Sequence, residues 1–386
     1  MLLQDIRCHF IPSMSLSTSL VTLASKLLYL AVKQRPLPQH PQSIIVIKPC
    51  CLGDVILATP ALAAIKQRYP QAQLDVAVGS WSRAALINNP DLDQLLDSGR
   101  VGQGQYGLAE VRALAKRLRP QQYDLAVTLD RSPLVSLVPW WAGIPNRLGL
   151  DSFGRGFAHT HRVPVPTVPR HEARIYLDCV AATGITVEVD GVPQFSPLFQ
   201  PTQADFAALG LGDDSPFVIL HPGGGQNPGM TMLDKRWPLP RFARLAERLS
   251  QTGFQVYLTG TTDDLSACQT IASEVKGSPP KILAGEINLG QFGALCRQAA
   301  LFVGGDTGAM HLAVATGCKT VAIFGPSDPR RYGPFARKQQ AIALWHEIDI
   351  PTGGVGQGKV VNFSWEDGVT FEEVWTACQK LLGGNE

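Results

Sequence analysis

Apolar residues along this chain fall into two repeating patterns: short unbroken runs, and longer stretches spaced by three and four. The run SIIVIK (43–48) is followed by helical spacing that continues to Tyr69. A short apolar run between turn signals reads as a strand buried on both faces. Thr59-Pro60 has the form of an N-cap with proline at the first helical position, so the main helix is predicted to start there, with 53–58 as a loop or one preceding turn. LDVAVG (74–79) and YDLAVTLD (123–130) are the next predicted strands, with LAEVRALAKRL (108–118) helical between them. Beyond Arg131 the pattern is irregular and rich in proline, glycine and aromatics. HEARIYLDCVAATGI (171–185) returns to helical spacing, and GVPQFSPLFQPTQ (191–203), with three prolines in thirteen residues, is the expected linker.

The alternation then restarts. FVILHPGGG (217–225) reads as strand and glycine turn, and Phe242, Leu245, Ala246 and Leu249 form a helix stripe. QVYLTG (255–260), LFVGGDTG (301–308) and TVAIFG (320–325) read as strands; 264–276, 290–299 and 309–317 read as helices. Phe371, Val374, Trp375 and Cys378 mark a tail helix that must pack on something substantial. Strand–helix alternation of this kind predicts an α/β fold with parallel sheets covered on both faces. The expected division is an N-terminal extension (1–42), a Rossmann-like domain (43–200), a second such domain (201–345) and a tail with its helix (346–386). Two doubly wound domains facing a central cleft bind ligands there, because the strands present their carboxyl ends to it.

With 386 residues, 45% hydrophobic and 17% charged, the chain is a soluble globular protein large enough for two cores. The formal net charge is +2, without any run of five like charges, so no nucleic-acid partner is expected and an anionic ligand must be held by a few placed residues. Eight scattered cysteines without a C-x-x-C pair fit a reducing cytoplasm. Most are expected to be small core residues; a redox or metal role for the adjacent Cys50-Cys51 is the minor alternative. In the extension, Leu16, Leu20, Leu23, Leu27 and Leu30 lie on one helix face. The segment is too short and too broken by Lys26 to span a bilayer and lacks a signal-peptide cleavage site. It is read as a helix packed on the body, or as peripheral docking on the inner membrane face through residues 14–34.

Candidate chemistry sits at the strand ends. In HPGGGQNPG (221–229), Gly223 and Gly224 let backbone N–H groups approach a phosphate, and Lys235-Arg236 follow with positive charge. A plain glycine turn is the alternative. GGDTGAMH (304–311) is sharper: Thr307 and Gly308 offer N–H groups where a helix begins, worth about 0.3–1 kcal/mol to an anion from the dipole alone. Asp306 suits sugar hydroxyls rather than phosphate; as bland alternatives, Asp306 is a cap and His311 a buried helix histidine. Asp263 and Asp264 either accept from a ribose diol or cap a helix. Asp91-Leu92-Asp93 is the single D-x-D match and lies in a polar turn, so no metal and no cofactor are expected. Asp54, after Gly53 in KPCCLGDV, is a helix cap or a general base, and Lys48 beside it a phosphate contact.

These segments together, "IIVIKPCCLGDVILATPALAAIKQRYP", "LHPGGG" with "KRWP", "LTGTTDD" and "VGGDTGAMHLAVATGCKTVAIFGPSDPRRYGP", resemble glycosyltransferase family 9, the lipopolysaccharide heptosyltransferases, across residues 43–335. The resemblance implies a GT-B fold and metal-free, inverting transfer of heptose from ADP-heptose to a glycan or lipid-linked acceptor at the cytoplasmic face of the membrane. It implies Asp54 as general base, Lys235 on the diphosphate, Asp264 or Asp263 on the ribose, and Asp306, Thr307, Gly308 and His311 at the sugar and diphosphate end of the donor site. The chain departs from the family pattern where Pro49-Cys50-Cys51 replace small residues, in PTGGVGQGKVVNFSW (351–365), and in the leucine-striped extension. A nucleotide-sugar epimerase on the same scaffold and a non-catalytic nucleotide-sugar binder are the competing readings.

Overall fold

The computed structural model describes residues 32–209, 215–227, 230–337, 339–348 and 363–383. The first domain contains β1 (Ser43–Ile47), α1 (Leu52–Arg68), β2 (Gln73–Val78), β3 (Gln94–Asp97), α2 (Leu108–Leu118), β4 (Leu125–Thr128), α3 (Pro133–Trp141), β5 (Asn146–Asp151), β6 (His161–Pro164) and α4 (Glu172–Ala181). Its six-stranded sheet has the order β3-β2-β1-β4-β5-β6, parallel throughout. The second domain contains β7 (Phe217–His221), α5 (Leu239–Gln251), β8 (Gln255–Leu258), α6 (Leu265–Glu274), β9 (Lys281–Ile282), α7 (Leu289–Gln298), β10 (Leu301–Gly305), α8 (Gly308–Ala315), β11 (Thr320–Ile323) and β12 (Ala341–Leu344). Its sheet repeats the arrangement as β9-β8-β7-β10-β11-β12, again parallel. Both are doubly wound sheets whose strand order reverses between the first and fourth strands, and ligands bind at that reversal.

The helix after β1 differs from its sequence reading. It runs from Leu52 straight through Pro60, and Thr59 is buried inside it. Proline has no N–H for the carbonyl four residues back. Here the Thr59 hydroxyl donates to that carbonyl, Ile56 O, at 2.7 Å, which replaces the missing bond. The same hydroxyl accepts from Leu198 N at 3.0 Å, tying the linker to the helix. The stretch beyond Arg131, read as irregular, holds α3, β5 and β6.

The tail helix α9 (Phe371–Leu382) closes the second domain: Phe371, Val374, Cys378 and Leu381 pack with Val321 and Ile323 of β11. Trp375 is half-buried beside them. One apolar cluster is continuous between the domains, joining Val55, Ile56 and Ile65 of α1 to Met310, Leu312 and Ala313 of α8. The described end of the extension lies along the edge strand β6, where Arg35 N donates to Thr160 O at 2.9 Å. The leucine stripe, with most of the docking segment 14–34, lies outside the described residues. No helix among the described residues is long and apolar enough to cross a membrane.

Candidate active site

The first wall of the cleft is the turn from β1 into α1. Cys51 precedes the helix at φ 64°, in the left-handed region, and swings Gly53 and Asp54 into the first turn. Asp54 is partly exposed and lies 3.5 Å from the ammonium of buried Lys48. Burial alone would strip Lys48 of its charge; Asp54, Tyr176, Asp130 and Cys51 outweigh it and hold the pKa well above the ordinary lysine value. The turn after β4 supplies Asp130 and Arg131, so Lys48, Asp54, Asp130 and Arg131 all issue from the reversal point of the first sheet.

The second wall is the reversal point of the other sheet. After β10, Asp306 and Thr307 lead into α8, and the Thr307 hydroxyl accepts from Met310 N at 3.2 Å as its cap. Thr307, not Asp306, is therefore the capping residue. Asp306 is half-buried, its side chain 9% exposed, and accepts from Lys235 Nζ at 2.5 Å. Burial opposes its charge, but Lys235 and His311 prevail and hold its carboxyl below the usual range. The glycine turn after β7 lies over Thr307: a side chain on Gly224, at φ 103°, would meet Thr307 Cγ2 at 2.1 Å. One on Gly223 would meet the Asp264 carboxylate at 2.4 Å. Glycine is required at both positions by space, and at Gly224 also by backbone conformation.

Asp264 is fully engaged. Its Oδ1 accepts from Arg236 Nη2 at 2.8 Å, and its Oδ2 accepts from both N and Oγ1 of Thr261 at 2.9 Å. Arg236 also donates to Gly224 O at 2.9 Å, so it clamps the glycine turn to the loop after β8. Asp263 stands exposed on the same wall.

The walls meet at their helix starts. A Cβ on Gly53 would sit 2.7 Å from His311 Cδ2, and one on Gly308 would sit 2.8 Å from Leu52 Cδ2. His311 is buried and its Nδ1 has no partner among the described residues. Burial lowers its pKa to about 4 against the pull of Asp306 and Asp54. The Asp54 charge also bears on Tyr332 of the second domain, whose phenol is pushed up chiefly by burial. Beside this contact opens a cleft of about 580 Å³. It takes Leu52, Gly53 and Trp81 from the first domain and Gly224, Thr262, Asp263, Thr307 and Gly308 from the second; Ile287, Leu289 and Phe292 line an apolar end. Sequence reasoning missed Trp81, 54% exposed just after the β2 strand end, and this apolar end. The position of Gly79-Ser80-Trp81 at a strand terminus was the available signal for the first; the second is assembled from α7 and a loop with no motif. Among the described residues no group of three or more His, Cys, Asp or Glu side chains is placed to hold a metal ion.

Two Rossmann-like domains with facing reversal points make the GT-B architecture. Residues 111–353 match the sequence profile described as "Glycosyltransferase family 9 (heptosyltransferase)". The chain belongs to that family. It is 30% identical to lipopolysaccharide heptosyltransferase 2 of Escherichia coli K12 over 79% of this chain and 90% of that protein. It is 27% identical to lipopolysaccharide heptosyltransferase 3 of the same organism over 86% and 95%. Among solved structures it is similar to a family 9 glycosyltransferase of Veillonella parvula (TM-score 0.78, 22% identity, 91% of this chain and 100% of that one). It is also similar to the E. coli ADP-heptose lps heptosyltransferase II (TM-score 0.68, 26% identity, 88% and 98%).

Proposed function

We propose that this glycosyltransferase moves a heptose from ADP-heptose to a lipopolysaccharide-core acceptor with inversion and without metal, with Asp54 as general base. Supporting the substrate class are the relatives named lipopolysaccharide heptosyltransferases and the similar structure named for ADP-heptose. Supporting the mechanism is the position of Asp54, partly exposed beside Lys48 and directly after Gly53, which lines the cleft and stands against His311 of α8. In this reading the adenosine lies along Ile287, Leu289 and Phe292. The diphosphate takes the N–H groups at Thr307-Gly308, with Lys235 turning from Asp306 to a phosphate oxygen and Asp306 accepting from sugar hydroxyls. Asp263 meets the ribose, while Asp264 holds the loop that presents it. Asp54 removes the proton of the acceptor hydroxyl as its oxygen attacks the anomeric carbon from the face opposite the diphosphate. ADP leaves with its charge held by the helix start and Lys235, so no metal is required for that charge.

The Asp54→Asn variant tests this. Transfer from ADP-heptose should fall about 10²–10⁴-fold, with ADP-heptose affinity by calorimetry unchanged. Turnover equal to the parent enzyme removes Asp54 as base.

A further inference from the structure

The turn that presents Asp54 carries two adjacent thiols that the transfer chemistry does not use. Cys50 and Cys51 are both half-buried, and their Sγ atoms lie 2.7 Å apart. The other described cysteines, at 179, 268, 296, 318 and 378, are buried. Cys51 holds a φ of 64°, a conformation that costs a non-glycine residue on the order of 1 kcal/mol or more. Its carbonyl accepts from Val55 N at 3.0 Å, so this residue also launches the helix that bears Asp54. Cys50 is the nucleophile of the pair: hydrogen bonding from Cys51 and nearby Lys48 lower its pKa against burial, while Cys51 is pushed up.

We propose that Cys50 and Cys51 form a redox modification site: low-molecular-weight disulfides oxidise the pair to a vicinal disulfide, which displaces the Asp54 turn and suppresses sugar transfer. The Cys50 thiolate attacks one sulfur of the small disulfide, forms a mixed disulfide and releases one small thiolate, which takes a proton. Cys51 then gives up its proton and attacks Cys50 Sγ, forming the intramolecular S–S bond and releasing the second small thiol. Two protein thiols are oxidised by two electrons, and one small disulfide is reduced to two thiols. Adjacent Cα atoms stand about 3.8 Å apart, below the ~4.4–6.8 Å over which disulfides are comfortable. The product is therefore strained and easily reduced, as suits a reversible site rather than a staple. Closing the ring redraws the backbone at Cys51, and Gly53 and Asp54 follow directly.

The test uses the full chain carrying Cys8→Ser, treated with oxidised glutathione. Intact mass should fall by about 2 Da, the difference of two hydrogens, without a retained adduct, and dithiothreitol should restore it. Transfer should drop at least tenfold in parallel and recover with the mass. Cys50→Ser and Cys51→Ser, each compared with its own untreated sample, should show neither the mass loss nor that reversible drop through ring closure. A stable glutathione adduct in place of the 2 Da loss overturns the site. Ring closure with undiminished transfer overturns its link to catalysis. The inhibition rests on the role proposed for Asp54; the mass change does not, so a failure of the Asp54→Asn result leaves it standing.

Discussion

His159, His221 and His311 are each buried, and burial holds their pKa values at about 3, about 4 and about 4. Neither ring nitrogen of His159 finds a partner among the described residues, and a side chain on Gly149 would meet its Nε2 at 2.3 Å. The ordinary histidine value is 6.5. Unfolded histidines therefore bind protons that the folded ones refuse. Stability contributed by the neutral rings is complete above pH 6.5 and is lost as pH falls through about 4 for His221 and His311, and about 3 for His159. Urea midpoints should fall from pH 7.5 to pH 4.5, and His159→Gln should show a shallower fall over that interval; an identical slope would mean that His159 is already protonated in the fold. At the same scale, Lys235 and Arg236, read in the sequence as positive charge following the glycine turn, are each paired with a carboxylate. Sequence position identified the cations but not their partners, which come from loops 28 and 71 residues away.

Helices α1 and α8 approach closely because each carries, in its first turn, a glycine against the other helix. Gly53 stands against His311, and Gly308 against Leu52. A methyl on Gly308 would lie 3.0 Å from Leu52 Cβ, an atom fixed by backbone, so relief requires moving a helix. Gly308→Ala gains helix propensity of about 0.5–1 kcal/mol but meets an overpacking cost of about 1–3 kcal/mol, and the second wins. The melting temperature should fall, and ADP-heptose affinity should weaken because the start of α8 shifts. Unchanged values for both would show that the contact yields without strain. The Thr59-Pro60 pair shows the limit of local signals at this scale: an N-cap followed by proline is a sound start signal, but a hydroxyl returned to Ile56 O lets the helix pass through.

Across the whole molecule, a buried carboxylate joins the two domains. Glu172, at the start of α4, accepts from Arg131 Nη2 at 2.6 Å and from Arg331 Nη2 of the second domain at 3.1 Å. His171 beside it bonds Gly333 O at 2.9 Å and stacks on Phe335 with ring centroids 4.9 Å apart. Arg331→Met removes this ion pair between the domains but leaves Glu172 paired with Arg131. The free enzyme should then sample open arrangements, with a larger radius of gyration by small-angle scattering and a raised KM for donor. Scattering identical to the parent protein would assign Glu172 a role within its own domain.

The sequence by itself determined the strand–helix alternation, two sheets, the family and the motifs at strand ends, since periodicity and turn residues act over a few positions. Short or half-exposed strands such as β3, β6 and β12 carry too little pattern to be seen. Only the tertiary structure decided that Asp264 is consumed by Arg236 and Thr261, that Asp306 pairs with Lys235, and that the helix start carrying Asp54 packs, through Leu52 and Gly53, against α8. Such pairings depend on which sheet ends the fold brings together, and partners far apart in the chain leave no periodic trace along it.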